Sequence, residues 1–136
     1  MRHPIVRRPA YNFEALIRCI EEAQNSGLKR IMMRFAGFII KPSKYAGRLY
    51  IFSYEKELNQ WGTMSNIYLG WITSDSTNLA EVSLIKHIQE VAANPTHYAK
   101  VFGQETGQCS CCGKQLTVKE SIALGIGPIC KVKFGL

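Results

Sequence analysis

Between Phe13 and Ala23 the apolar residues Phe13, Leu16, Ile17, Ile20 and Ala23 recur at the three- and four-residue intervals of one helix face. Asn12 stands where its side chain can cap the first turn, and Asn25-Ser26-Gly27 supplies a stop. A first helix is predicted there, with Cys19 beside its stripe as a small core residue. From Leu28 to Ile40 the pattern turns β-rich, with Gly37 marking a bulge or turn. Pro42 to Gly47 reads as a loop, Leu49 to Tyr54 alternates as a strand, residues 55–66 read as a polar loop, and Ile67 to Thr73 reads as a third strand. The connections are too short for helical crossovers, so the strands are expected to be antiparallel. Val82, Ile85, Ile88, Val91 and Ala92 then mark a second helix, which Asn94-Pro95 breaks. A short helical turn from Thr96 to Val101 follows.

These elements predict an α+β fold: a small antiparallel sheet packed by two helices, followed by a cysteine-rich C-terminal module. At 136 residues the chain has room for one ordinary core, so the expected division is an α+β domain with a basic lead over 1–103 and the module over 104–136.

The module carries the most specific pattern. Cys109 and Cys112 are spaced so that two thiolates of one tight turn can hold a single tetrahedral metal, and Gly113 lets the knuckle turn back. Thr117 and Glu120 read as a capping box opening a helix that Gly125 closes. Gly127-Pro128-Ile129-Cys130 reads as the start of another helix, with Cys130 in its first turn, where the positive end of the helix dipole favours a thiolate. A knuckle followed by a ligand on a later helix is the arrangement of treble-clef-like or zinc-ribbon-like modules. Zinc is the expected metal, with Cys109, Cys112 and Cys130 as ligands. Three residues beyond Cys130, where a fourth ligand would complete the set, stands Lys133. The fourth candidates are His97, which is preferred, Cys111 as the alternative, a water, or a residue of another chain.

The segment from Thr106 to Thr117, with Ser121 to Cys130 and Lys133 to Leu136, closely resembles the DUF6011 family, small domains common in bacteriophage and prophage proteins. Gly47 to Ile51 and Tyr68 to Gly70 resemble the β-region that often precedes it. The resemblance implies phage origin and a zinc site, and no particular activity.

Charge adds a direction. The net charge is +7, and residues 1–50 alone hold ten Lys and Arg against three Glu. Such a bias favours an anionic partner, and the nucleic-acid candidates are Arg7, Arg8, Arg30, Lys41, Lys44 and Lys114. Tyr50, Phe52 and Tyr54 offer rings for unpaired bases, although one face of every sheet is buried and at least two of the three are expected in the core. The other expectation is a non-catalytic interaction module that binds a host enzyme or defence component. His3, His87 and His97 form no triad or metalloprotease spacing, so no enzyme and no small-molecule substrate are expected. With no apolar run near the roughly 20 residues of a membrane span, and with crowded cysteines that read as ligands, the expected location is the bacterial host cytoplasm.

Overall fold

Helix α1 (Glu14–Asn25) has Phe13 at its cap position rather than the expected Asn12, which stands one residue earlier and accepts a hydrogen bond from the Glu14 N–H at 3.2 Å. Leu16, Ile17, Ile20 and Ala23 are buried as expected, Cys19 with them, and the Arg18–Glu14 pair lies on the solvent side. This computed structural model describes residues 11–136.

Four strands, β1 (Met33–Phe35), β2 (Phe38–Pro42), β3 (Leu49–Leu58) and β4 (Met64–Ile72), form one antiparallel sheet in chain order. The β-rich stretch read as a single strand is thus a hairpin: Ala36 and Gly37 form a two-residue turn, and Gly37 has φ +88, which suits a residue without a Cβ. The segment read as a polar loop over 55–66 is largely strand. Asn59 accepts from the N–H groups of Trp61 and Thr63, both at 3.0 Å, and ties a tight connection between β3 and β4. Glu55, Lys56, Glu57 and Leu58 are all exposed, so this arm has no alternation to betray it.

Register assigns each side chain to a face. Met33, Phe35, Phe38, Ile40, Leu49, Ile51 and Ile72 share one face and are buried against α1 and α2 (Val82–Ala93), whose Ile88 and Val91 belong to the same cluster. Arg34, Ile39, Lys41, Tyr50, Phe52, Tyr68 and Trp71 share the other.

Helix α3 (Pro95–Thr106) is longer than the expected turn. Pro95 opens it, Asn94 accepts from the His97 N–H, and Gly107 ends it in a left-handed conformation. Two short helices follow, α4 (Lys119–Leu124) and α5 (Pro128–Lys133). The expected capping box is not formed: Val118, extended at φ −80 and ψ 138, occupies the cap position, one residue past Thr117. Gly125 closes α4 and Pro128 opens α5 as read from the sequence. The expected division after residue 103 falls inside α3, and Cys109, Cys111, Ile126 and Phe134 belong to the same buried cluster as Phe35 and Ile20. Among the described residues no helix is long and apolar enough to cross a membrane.

Candidate metal centre and the adjoining sheet face

The knuckle is a tight hairpin. The Cys109 N–H donates to the Lys114 carbonyl and the Gly113 N–H to the Cys109 carbonyl, both at 2.9 Å, while Leu116 returns a hydrogen bond to Gly107 at 2.8 Å. At Gly113 φ is +73, a conformation that calls for glycine, and a Cβ there would stand 2.8 Å from the Arg34 guanidinium carbon and displace the end of that side chain. The hairpin docks on the outer strand of the sheet: the Arg34 N–H donates to the Ser110 carbonyl at 2.8 Å, and buried Ser110 returns its hydroxyl to the Arg34 carbonyl. Covering β1 in this way satisfies backbone groups that an edge strand leaves open.

Cys130 arrives on the first turn of α5, and the Gly127 N–H just before it donates to the Cys109 sulfur at 3.4 Å. The three sulfur atoms of Cys109, Cys112 and Cys130 all lie within 4.8 Å of one another. A tetrahedral ion with metal–sulfur bonds of about 2.3 Å spaces its sulfurs by about 3.8 Å, so a small contraction brings them to bonding distance. Hydrogen bonds from the Cys111 and Cys130 thiols, with a further one from the Gly127 N–H, hold the Cys109 thiol far below the usual thiol range. Its thiolate in turn pushes Cys130 and Cys111 up, and burial adds to both.

The two candidates for a fourth ligand fall outside this group. His97 lies in the first turn of α3 with its ring edge-on to Tyr98, and it is not among the clustered ligand atoms. Cys111 is turned inward, 4% exposed, and donates to Cys109 without joining the three.

The sheet face opposite the core has a different chemistry. Lys41 lies 4.8 Å from the Phe52 ring centroid and Arg48 lies 4.3 Å from that of Trp71. Tyr68, half exposed, stands edge-on to both Tyr50 and Phe52 at 5.6 Å. The expectation that at least two of Tyr50, Phe52 and Tyr54 are core is corrected here: all three are only partly covered, because the buried face is filled by Leu49 and Ile51 between them. Tyr54 alone has a partner from the helical layer, Phe102 of α3 at 5.5 Å. Beside this face a cavity of about 610 Å³ is bounded by Lys29, Arg30, Arg34 and Lys41 together with Cys111 and Cys112, so four cations meet next to the cysteine knuckle.

Of the cationic candidates, Arg30 and Lys41 are brought together here. Lys44 lies in the β2–β3 loop near Tyr45, and Lys114 borders a separate cavity at the cysteines. Arg7 and Arg8 lie outside the described residues. Arg34, Arg48, Tyr68 and Trp71 were not singled out from the sequence. Once register is known, their period-two placement opposite the buried positions identifies them.

Fold and site together define an α+β protein whose C-terminal knuckle can hold a metal ion through three cysteines. Residues 99–135, from α3 through Cys130, match the family model described as a family of unknown function, DUF6011. No curated protein and no solved structure matches the chain.

Proposed function

We propose that the protein is a zinc-stabilised, phage- or prophage-encoded binder of single-stranded nucleic acid, acting without catalysis in the host cytoplasm. The observation that carries this reading is the sheet face on which Lys41 and Arg48 are interleaved with Tyr50, Phe52, Tyr68 and Trp71, continuous through Lys41 with the basic cavity. Rings at this density offer stacking surfaces to unpaired bases, and the cations beside them suit the phosphates between those bases. Zinc suits an all-thiolate set; bound there, it would offset most of the cysteine charge and lock the knuckle to β1.

Anisotropy titrations of labelled single- and double-stranded oligonucleotides at about 50 and 200 mM salt test the reading. Single strands should bind more tightly. Phe52→Ala or Tyr68→Ala should each cost about 1–3 kcal/mol, the value of one stacked base. Arg30→Ala with Lys41→Ala should flatten the salt slope by about 0.7 per lost contact. Binding weaker than about 10 μM at the lower salt would rule the reading out.

A second reading rests on the β3–β4 tip, where Leu58, Trp61 and Met64 are 68%, 79% and 57% exposed. Such a cluster suits docking onto a host protein. If Trp61→Ala abolishes co-purification of a host enzyme or defence component while oligonucleotide affinity is unchanged, the tip is an interaction site.

A further inference from the structure

We infer that the metal centre keeps one coordination position for a ligand from outside residues 11–136, a neutral nitrogen donor of the imidazole class that enters through the cavity beside Ile129. The inference rests on the metal-binding reading and extends it to a ligand site. Among the described residues, no histidine, further cysteine or carboxylate joins Cys109, Cys112 and Cys130 in the cluster. The position that would supply a fourth ligand from α5 holds Lys133, a side-chain type that donates hydrogen bonds and is not among the usual zinc ligands. Zinc in a closed site takes four ligands, and three protein ligands mark a site that is open to a fourth.

The open side has a definite shape. A cavity of about 280 Å³ touches all three ligand residues, and Leu116, Val118, Pro128 and Ile129 form its apolar walls. That volume falls below the range of about 300–1,000 Å³ typical of drug-sized ligands, so it suits one ring or one side chain. Charge selects among donors. Three thiolates on a divalent ion leave a net charge of −1, which the single cation on the cavity, Lys114, can balance; a fourth thiolate or a carboxylate would add a second negative charge beside a largely apolar wall. A neutral imidazole adds no charge, is a common zinc ligand, and presents flat apolar faces to the aliphatic walls. Its second nitrogen needs an acceptor, and Thr117 and Ser121 place hydroxyl-bearing side chains on the same cavity.

Cobalt(II) in place of zinc gives a spectroscopic test on the full chain. His3→Ala and His97→Ala are introduced first, so that neither of those imidazoles can occupy the position. Thiolate-to-cobalt absorption reports that the cysteines hold the ion, and the ligand-field bands report the fourth ligand. Titrating imidazole should shift the ligand-field bands saturably while the thiolate absorption persists. Ile129→Trp, which fills the cavity mouth from a position 69% exposed, should weaken that shift by about tenfold or more without altering cobalt stoichiometry. Bands that imidazole leaves unmoved, or that move equally well in Ile129→Trp, would overturn the inference while leaving the metal site intact. A chain that binds no cobalt would overturn both.

Discussion

Gly103→Ala tests whether the cysteine module is packed onto the rest of the protein as described. Gly103 lies in α3, and a Cβ there would stand 1.7 Å from the Gly125 carbonyl oxygen and 2.4 Å from its carbonyl carbon. Ordinary contact begins near 3.4 Å, so the obstacle is backbone and cannot rotate away. Helix propensity alone favours alanine over glycine by about 1 kcal/mol. Overpacking costs about 1–3 kcal/mol, and a clash with backbone belongs at or above the top of that range. The net expectation is a loss of about 2 kcal/mol. With an unfolding entropy of about 2.1 cal/mol/K per residue, that lowers Tm by roughly 7 °C in a chain of this length. Thermal unfolding followed by circular dichroism reads the shift, and Glu105→Ala, at an exposed position of the same helix, should stay within about 0.5 kcal/mol of the parent. Because α4 leads directly to Cys130, the alanine variant should also hold metal more weakly. A Gly103→Ala protein as stable as the parent, or more so, would show that α3 and the end of α4 do not meet there, and the reasoning would fail.

Ser110→Ala removes a buried hydroxyl that donates to the Arg34 carbonyl, and should cost about 1–2 kcal/mol in thermal unfolding; an unchanged Tm would refute that docking contact. Burial first, and Glu22 second, pushes the Cys19 thiol up to about 11 from 9.0. A neutral thiol favoured by folding contributes stability that is complete below pH 9 and lost as pH rises towards 11, with a limit of about 2.7 kcal/mol; denaturant titrations across that window should show the slope, and Cys19→Ala should remove it. Elemental analysis should find one zinc per chain, and Cys112→Ser or chelation should lower one cooperative transition, since Cys109 and Phe134 share the core with Phe35. Two separated transitions would refute that single unit. Chelation should also weaken single-strand binding, because the knuckle holds Arg34; affinity indifferent to metal would refute the link.

The helices α1 and α2 were legible because each presents one apolar stripe to one core, and Leu16, Ile20, Ile88 and Val91 lie where that periodicity puts them. The meeting of the three cysteines was legible for another reason: a knuckle and a helix-borne cysteine are local features, and Cys109, Cys112 and Cys130, which could hold a metal ion, need only the chain between them to meet. What escaped depends on long-range partners. The far arm of β3 is exposed from Glu55 to Leu58, so register pairs such as Lys56 with Asn66 form without a hydrophobic signature. At least two of Tyr50, Phe52 and Tyr54 were expected in the core because one face of every sheet is buried, and only the pairing of Ile51 with Ile40 and of Leu49 with Ile72 shows that the aliphatic side of the strand took that face. His97 looked suitable as a ligand because it precedes the knuckle, yet it lies in the first turn of α3, and the close sulfur group comprises Cys109, Cys112 and Cys130 without it.

The metal centre and the cationic face are not two independent features, and Arg34 is the reason. Its backbone pairs with Ser110 in both directions, its guanidinium donates to the Cys111 carbonyl at 3.3 Å, and its side chain covers Gly113. The same residue bounds the basic cavity with Lys41, the cation that lies over Phe52. An ion that fixes the knuckle therefore also fixes where one of the four cavity cations points. Preorganising a cation lowers the cost of meeting a phosphate, so metal should raise affinity for the strand without touching it. Linkage makes the effect reciprocal: whatever factor metal adds to strand affinity, a bound strand must add to metal affinity. A bound strand would thus slow loss of the ion to a chelator, and the three cysteines would serve the sheet face as much as the fold of the last thirty residues.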